Sequence, residues 1–357
     1  MEKLKRSLSS FAVPLLSILL AFLIGGIIMA ALGADPFAAL KYLFQGAFGS
    51  RANIGTTLSK STPLMFTALC ACFAYKCGVF NLGGEGQFLM GAMAAFLTAY
   101  FSGLTGFVGI LLALLAGTLA GGLWGLIPGI LKVTRGQNEM IISIMLNYVA
   151  TLFMGVLYTS WIRDENIPQT PAISKLVQLP RVIANMRVTW GFVLAVLVGL
   201  IMYYVLFWTS GGFKLRAVGY NMTASRFNGI PVKRYILTSF IISGAIAGLG
   251  GGAELLGTQF RLINGFGAGY GFDGVAMALI GQLHPIATVI VALFFAALRV
   301  GSTTMQAATG VPTSVSDIIQ ALVIVFSVAG MALTKLPEFE SWKNRLFSKR
   351  KRKAGDK

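Results

Sequence analysis

Five ionisable side chains interrupt stretches of sequence that are otherwise apolar: Glu85, Glu139, Glu254, Asp273 and Arg299. Charges inside apolar helices are costly, at ~2.5–3.5 kcal/mol each on insertion scales, and are read as functional by default. Glu85 and Asp273 each stand in a glycine cluster. The first cluster runs Asn81-Leu82-Gly83-Gly84-Glu85-Gly86-Gln87 before Phe88. The second runs Gly265-Phe266-Gly267-Ala268-Gly269-Tyr270-Gly271-Phe272-Asp273-Gly274. Breaks of this kind expose unwound backbone and half-helix ends, which can meet a polar ligand within an apolar environment. Glu139 precedes Met140-Ile141-Ile142 and Asp317 precedes Ile318-Ile319, so each opens a helix where a carboxylate suits the macrodipole. Asn147 falls in mid-helix and must find a partner, either a neighbouring helix or a polar ligand.

Other chemistries lack their residues. There is no G-x-x-x-x-G-K-[ST] to cradle nucleotide phosphates. The run Gly267 to Gly271 lacks the preceding strand and following acid of a dinucleotide loop. One histidine, His284, stands beside Pro285 at a turn and reads as structural, and no Ser-His-Asp set can be drawn. Cys70, Cys72 and Cys77 sit in or at the end of an apolar run with no second ligand cluster, and read as small buried hydrophobes. The expectation is a chain with no catalytic residue, no metal and no cofactor of its own.

The elements that must carry these breaks follow from composition. Of 357 residues, 56% are hydrophobic and 11% charged, and the mean hydropathy is +0.76. That pattern describes an all-α polytopic membrane protein. Apolar stretches near 11–32, 61–79, 86–102, 106–131, 139–161, 190–209, 235–256, 273–283, 286–303 and 316–334 give about ten crossings, some short or broken. The first, behind Lys3, Lys5 and Arg6, reads as a signal anchor rather than a cleaved leader. The net charge of +17 is concentrated at the end: nine of 29 basic residues follow Thr334. It implies both termini in the cytoplasm and a tail, 335–357, attracted to anionic lipid, not nucleic acid. Residues 1–334 then form one transmembrane domain.

With that orientation, 33–60 and 162–189 lie outside. Pro168, Pro171 and Pro180 make 162–189 an extended segment, either a docking surface or a solvated connector. Glu85 and Glu139 open inside-to-outside helices, Asp273 and Asp317 outside-to-inside ones, which suggests an inverted repeat of roughly 61–161 against 235–334. Gly117, Gly121, Gly125 and Gly129 recur every fourth position and should line a groove for another helix backbone, and Gly248, Gly250, Gly251 and Gly252 thin a second helix.

The cytoplasmic loop 211–234 contains Arg216-Ala217-Val218-Gly219-Tyr220-Asn221-Met222-Thr223-Ala224-Ser225-Arg226-Phe227-Asn228-Gly229-Ile230. It reads as a short polar helix that Asn221 can cap and Gly229 can stop. The segment resembles the coupling loop of ABC importer permeases of the branched-chain amino acid, ribose and nucleoside group, R-A-V-G-x-N-x-x-A-A-x-x-x-G-I. Arg216, Gly219, Asn221, Ala224, Gly229 and Ile230 match, and Ser225 replaces the second alanine. Residues 80–87 resemble the F-N-[IL]-G-x-E-G-Q of nucleoside-type members, and Asn138-Glu139 through Asn147-Tyr148 their N-E-x-I-x-x-x-M-L-N-Y.

The resemblance implies a permease subunit in the cell membrane that is not itself an enzyme. Its partners would be cytoplasmic ATPase subunits holding ATP-Mg, a second, non-identical permease and an extracellular substrate-binding lipoprotein. Asn81, Glu85, Gln87, Asn138, Glu139, Asn147 and Asp273 would lie along the substrate path, with guanosine-like purine nucleosides the favoured cargo. A ribose-like sugar or other polar metabolite, or an ion-coupled secondary transporter, stays open as an alternative.

Overall fold

The computed structural model of the chain describes residues 2–164, 167–183, 185–267 and 269–333. The basic run after Thr334 and Ala268 of the second glycine cluster lie outside the described residues. Thirteen α-helices are present among the described residues, joined by turns and one isolated bridge between Arg181 and Thr189. Five are long and apolar enough to cross a membrane: α5 (Gly106–Arg135), α6 with its π-helical end (Glu139–Trp161), α7 (Trp190–Trp208), α10 with its π-helical end (Val232–Gln259) and α12 (Pro285–Thr309). α1 (Glu2–Ala31) and α2 (Pro36–Phe48) meet at a bend of 119°, and count as a sixth span if taken together.

This is fewer than the ten crossings read from apolar runs, for visible reasons. α3 (Arg51–Lys76) is buried along most of its length and carries Thr57, Ser59, Ser61, Thr62 and Thr67 inside, so its composition is not that of a lipid-facing helix. α4 (Gly84–Phe101) buries Gln87 and opens on Glu85. α11 (Tyr270–Ile280) is short, as is the apolar part of α13 (Ser314–Leu333). The segment 33–60, expected as a loop, is mostly helical, built from α2 and the start of α3.

The described residues divide into two compact units, 2–43 with 302–333, and 44–301. In the first, α1 packs on α13, with Gly25 so close that an added methyl would stand 2.5 Å from Ile319 Cγ1. In the second, α4, α5 and α10 pack backbone to backbone. A methyl at Gly121 would stand 2.6 Å from Gly248 Cα, one at Gly117 2.8 Å from the Gly91 carbonyl oxygen, and one at Gly125 2.5 Å from that of Phe240. The four-residue glycine spacing therefore does line a groove for a neighbouring helix, as small-residue stripes do.

The segment 162–189 is tied down rather than free. Thr170 and Ile173 amides donate to the carbonyls of Leu262 and Phe260 at 3.0 and 2.9 Å, and Leu179 donates to Leu256 at 2.8 Å. Thr170 and Val177 are fully buried, so this strap covers the π-helical end of α10. A cavity of about 680 Å³ lies between the start of α3 and Arg181, Asn185, Met186 and Arg187.

Candidate functional site

α4 begins not at the end of α3 but alongside it, since an added methyl at Gly84 would sit 3.5 Å from Cys70 Sγ. Cys70 precedes the end of α3 by six residues, about 9 Å of helix rise. The chain leaving α3 therefore folds back along it before starting α4. Gly78 (φ +76°) makes that reversal possible, because a left-handed backbone costs a side-chain-bearing residue energy. α11 starts at the same place: Gly271 approaches α4 so closely that an added methyl would stand 2.5 Å from the Glu85 amide nitrogen. Two helix N-termini thus converge within one apolar body, each with a carboxylate in its first turn. Such ends carry unpaired N–H groups and partial positive charge.

The side chains at this junction fall into two sets. Asn81 and Gln87 are buried and bonded to each other. Asn81 Nδ2 donates to Gln87 Oε1 at 2.9 Å and to Ser243 Oγ at 2.8 Å, while Asn81 Oδ1 accepts from the Gly83 amide at 3.0 Å and from Gln87 Nε2 at 3.1 Å. An amide has two donors and two acceptor positions, so Asn81 is fully used by the protein. Asn147 finds its partner in a neighbouring helix start: it accepts from the Gly86 amide at 2.8 Å and donates to the Leu82 carbonyl at 2.9 Å. These three residues hold the 81–87 turn in shape.

The second set retains capacity. Glu85 is half-buried, the amides of Gly269 and Gly271 face its carboxylate, and its Oε2 has no hydrogen-bond partner among the described residues. Phe88, one turn on, lies 5.8 Å from the Tyr270 ring and 6.0 Å from that of Phe266. Asp273 forms an ion pair with Arg299 of α12, and the Arg299 guanidinium lies 6.0 Å from the Tyr270 ring centre. The junction therefore encloses a carboxylate oxygen, the buried Phe88 ring, the half-buried Tyr270 ring and a paired charge, groups that would meet a ligand with N–H donors and a flat apolar face if the two helix ends part.

Glu139 and Asn138 are not part of it. Asn138 caps α6, accepting from the Met140 amide at 3.0 Å, and Glu139 pairs with Lys132 at 2.6 Å. Glu254, the last residue of α10, is 1% exposed and accepts from Gln259 Nε2 at 3.3 Å, with Oε2 unpartnered among the described residues. Phe88, Phe266 and Tyr270 were not singled out from sequence as ring contacts of the junction. The available signal was the three-residue step from Glu85 to Phe88, which puts both on one helix face.

The 211–234 loop is two helices rather than one. α8 (Ser210–Tyr220) ends at Asn221, whose side chain accepts from the Ala224 amide at 2.9 Å and so caps α9 (Met222–Phe227). Gly229, at φ +76°, closes the segment, and the Ile230 amide returns to the Ser225 carbonyl at 3.0 Å. Ser225 faces inward and Ala224 outward, with Tyr220 and Phe227 almost wholly exposed on either side. Gly219 faces the end of α3, where an added methyl would collide with the Lys76 carbonyl. Arg216 stacks 4.9 Å over the Phe207 ring. An exposed, capped helix with two aromatic rings suits a separate protein, while Gly219 joins it to the membrane helices.

Five or six helices able to cross a membrane, a broken-helix junction and a projecting polar helix fit a membrane permease. Residues 53–328 match the family described as branched-chain amino acid transport system / permease component, and the chain belongs to that family. Among its relatives, the guanosine ABC transporter permease protein NupP of Bacillus subtilis is 36% identical over 92% of this chain and 96% of its own length. The nucleoside ABC transporter permease protein NupB of Lactococcus lactis is 34% identical over 88% of this chain and 89% of its own. The glucose ABC transporter permease protein TsgB13 of Haloferax volcanii is 33% identical over 89% and 87%. No solved structure matches.

Proposed function

We propose that this chain is the membrane-spanning permease subunit of an ATP-driven importer and forms the path by which nucleosides, purine nucleosides first, cross the cell membrane. The observation that carries the cargo is the Glu85 junction: a carboxylate oxygen with no partner among the described residues, on the helix start that carries Phe88 and meets α11 with Tyr270, suits the N–H edge and flat face of a base. Two nucleoside-named relatives support it. ATP-Mg is held by separate cytoplasmic ATPase subunits, which close on nucleotide and push α9. A second, non-identical permease completes the path, and an extracellular binding lipoprotein delivers the cargo. About ten crossings, counting the buried and short helices, form an inverted repeat, with both termini and the 335–357 tail in the cytoplasm against anionic lipid.

The glucose-named relative at nearly the same identity favours a second reading, the same machine carrying a sugar. Uptake of radiolabelled guanosine by cells expressing the importer separates the two. Unlabelled guanosine and adenosine compete and ribose and glucose do not if the cargo is a nucleoside. Competition by the sugars alone would remove the nucleoside assignment.

A further inference from the structure

The end of α3 opposite its glycine-bordered start carries a second cluster that the transport path does not use. Lys76, the last residue of α3, places its ammonium 5.8 Å from the centre of the Phe207 ring, and Arg216 of α8 lies 4.9 Å from the same centre. The ring of His284, from the turn between α11 and α12, lies tilted at 5.4 Å from those of both Phe207 and Tyr203 of α7. Four elements thus bring three basic side chains to one ring. Burial first, and Lys76 second, hold the His284 pKa below its ordinary value.

No carboxylate among the described residues pairs with them. The ion pairs among the described residues are Lys132–Glu139 and Asp273–Arg299, neither at this place. Arg216 Nε is buried without a hydrogen-bond partner among the described residues. Cations gathered in a half-buried site repel one another more strongly than in water, and a ring face offsets only part of that. A counter-anion would relieve the repulsion and satisfy Arg216. The flanking sequence indicates where the anion comes from: Tyr204 and Trp208, which follow Tyr203 and Phe207 on α7, and Phe213, three residues before Arg216 on α8, are all exposed. Exposed aromatics around basic groups mark the headgroup level of a bilayer.

We propose that Lys76, Arg216 and His284 form a binding site for the phosphate of an anionic phospholipid headgroup, which pins the end of α3 to α8 and the α11–α12 turn. Arg and Lys supply charge-assisted bonds to phosphate oxygens, and the exposed rings flank the acyl chains. Because α8 leads directly into α9, the bound lipid steadies the base of the projecting helix.

The test is native mass spectrometry of the purified, delipidated importer after adding back phosphatidylglycerol, phosphatidylcholine or inorganic phosphate. The wild-type complex retains phosphatidylglycerol and not phosphatidylcholine. Lys76→Gln combined with His284→Gln weakens retention about tenfold, the loss of one charge-assisted contact. Lys76→Arg, which keeps the charge, retains the lipid and guards against loss through misfolding. The basic tail contributes equally to wild type and variants. Equal retention of the two lipids, or undiminished phosphatidylglycerol on the double variant, overturns the site. Displacement of phosphatidylglycerol by an equal concentration of inorganic phosphate overturns the lipid source. Anion retention only when ATPase subunits are docked, with no lipid adduct, assigns the cluster to a carboxylate of the motor and overturns the lipid.

Discussion

Glu85 and Asn147 stand on facing helices of one junction and serve different ends. Asn147 is bonded on both sides to the backbone of the 81–87 turn. Asn147→Ala leaves the Gly86 amide and Leu82 carbonyl unpaired, at a cost of about 1–3 kcal/mol for each buried group. A lowered midpoint of thermal unfolding in detergent is the expected result, and an unchanged midpoint would show that water replaces the side chain. Glu85→Gln keeps the shape and removes the charge. It should lower kcat/KM for guanosine about tenfold or more with assembly and unfolding midpoint unchanged, and unaltered kinetics would reduce Glu85 to a helix-start carboxylate. The sequence marked both residues, because a carboxylate among glycines and an asparagine in an apolar run are each conspicuous. It did not reveal that Asn81 and Gln87 satisfy each other and Ser243, a partner 162 positions away from Asn81. It also left Asp273 and Arg299 unpaired on paper, although two opposite charges in apolar helices are natural partners.

At the scale of elements, regular spacing was legible and contact was not. The four-residue glycine repeat announced the groove between α5 and α10, since helix geometry alone puts those positions on one face. Asn221 and Gly229 announced a cap and a stop, and both act as such on α9. The helix before that cap, α8, was not read from the sequence, because Gly211, Gly212 and Gly219 weaken any helical signal there. The break at Asn221 divides two roles. Gly219→Val should lower the unfolding midpoint by forcing α8 off the end of α3. Ala224→Trp, on the exposed face, should leave the midpoint and membrane insertion intact while abolishing stimulated ATP hydrolysis. Measuring both in each variant decides it: an Ala224→Trp importer with normal ATP turnover and uptake would remove the docking role of α9.

Across the whole molecule, hydropathy alone identified a membrane protein and read ten runs as crossings, of which five or six meet the test of length and composition. α3 and α4 are central helices that bury polar side chains, and α11 is short, so none of the three meets a length and composition test for a lipid-facing span. The missing phosphate loop directs attention outward, and under the proposed function a motor on other chains would push on the projecting α9. The central claim is therefore that transport is powered through partners. Reconstitution of this chain with its second permease, ATPase and binding protein in proteoliposomes tests it directly, by uptake of radiolabelled guanosine. Uptake is predicted to require hydrolysable ATP on the ATPase side and to persist when ionophores collapse proton and sodium gradients. Uptake that continues without ATP or the ATPase subunits, and stops with the gradients, would contradict the account.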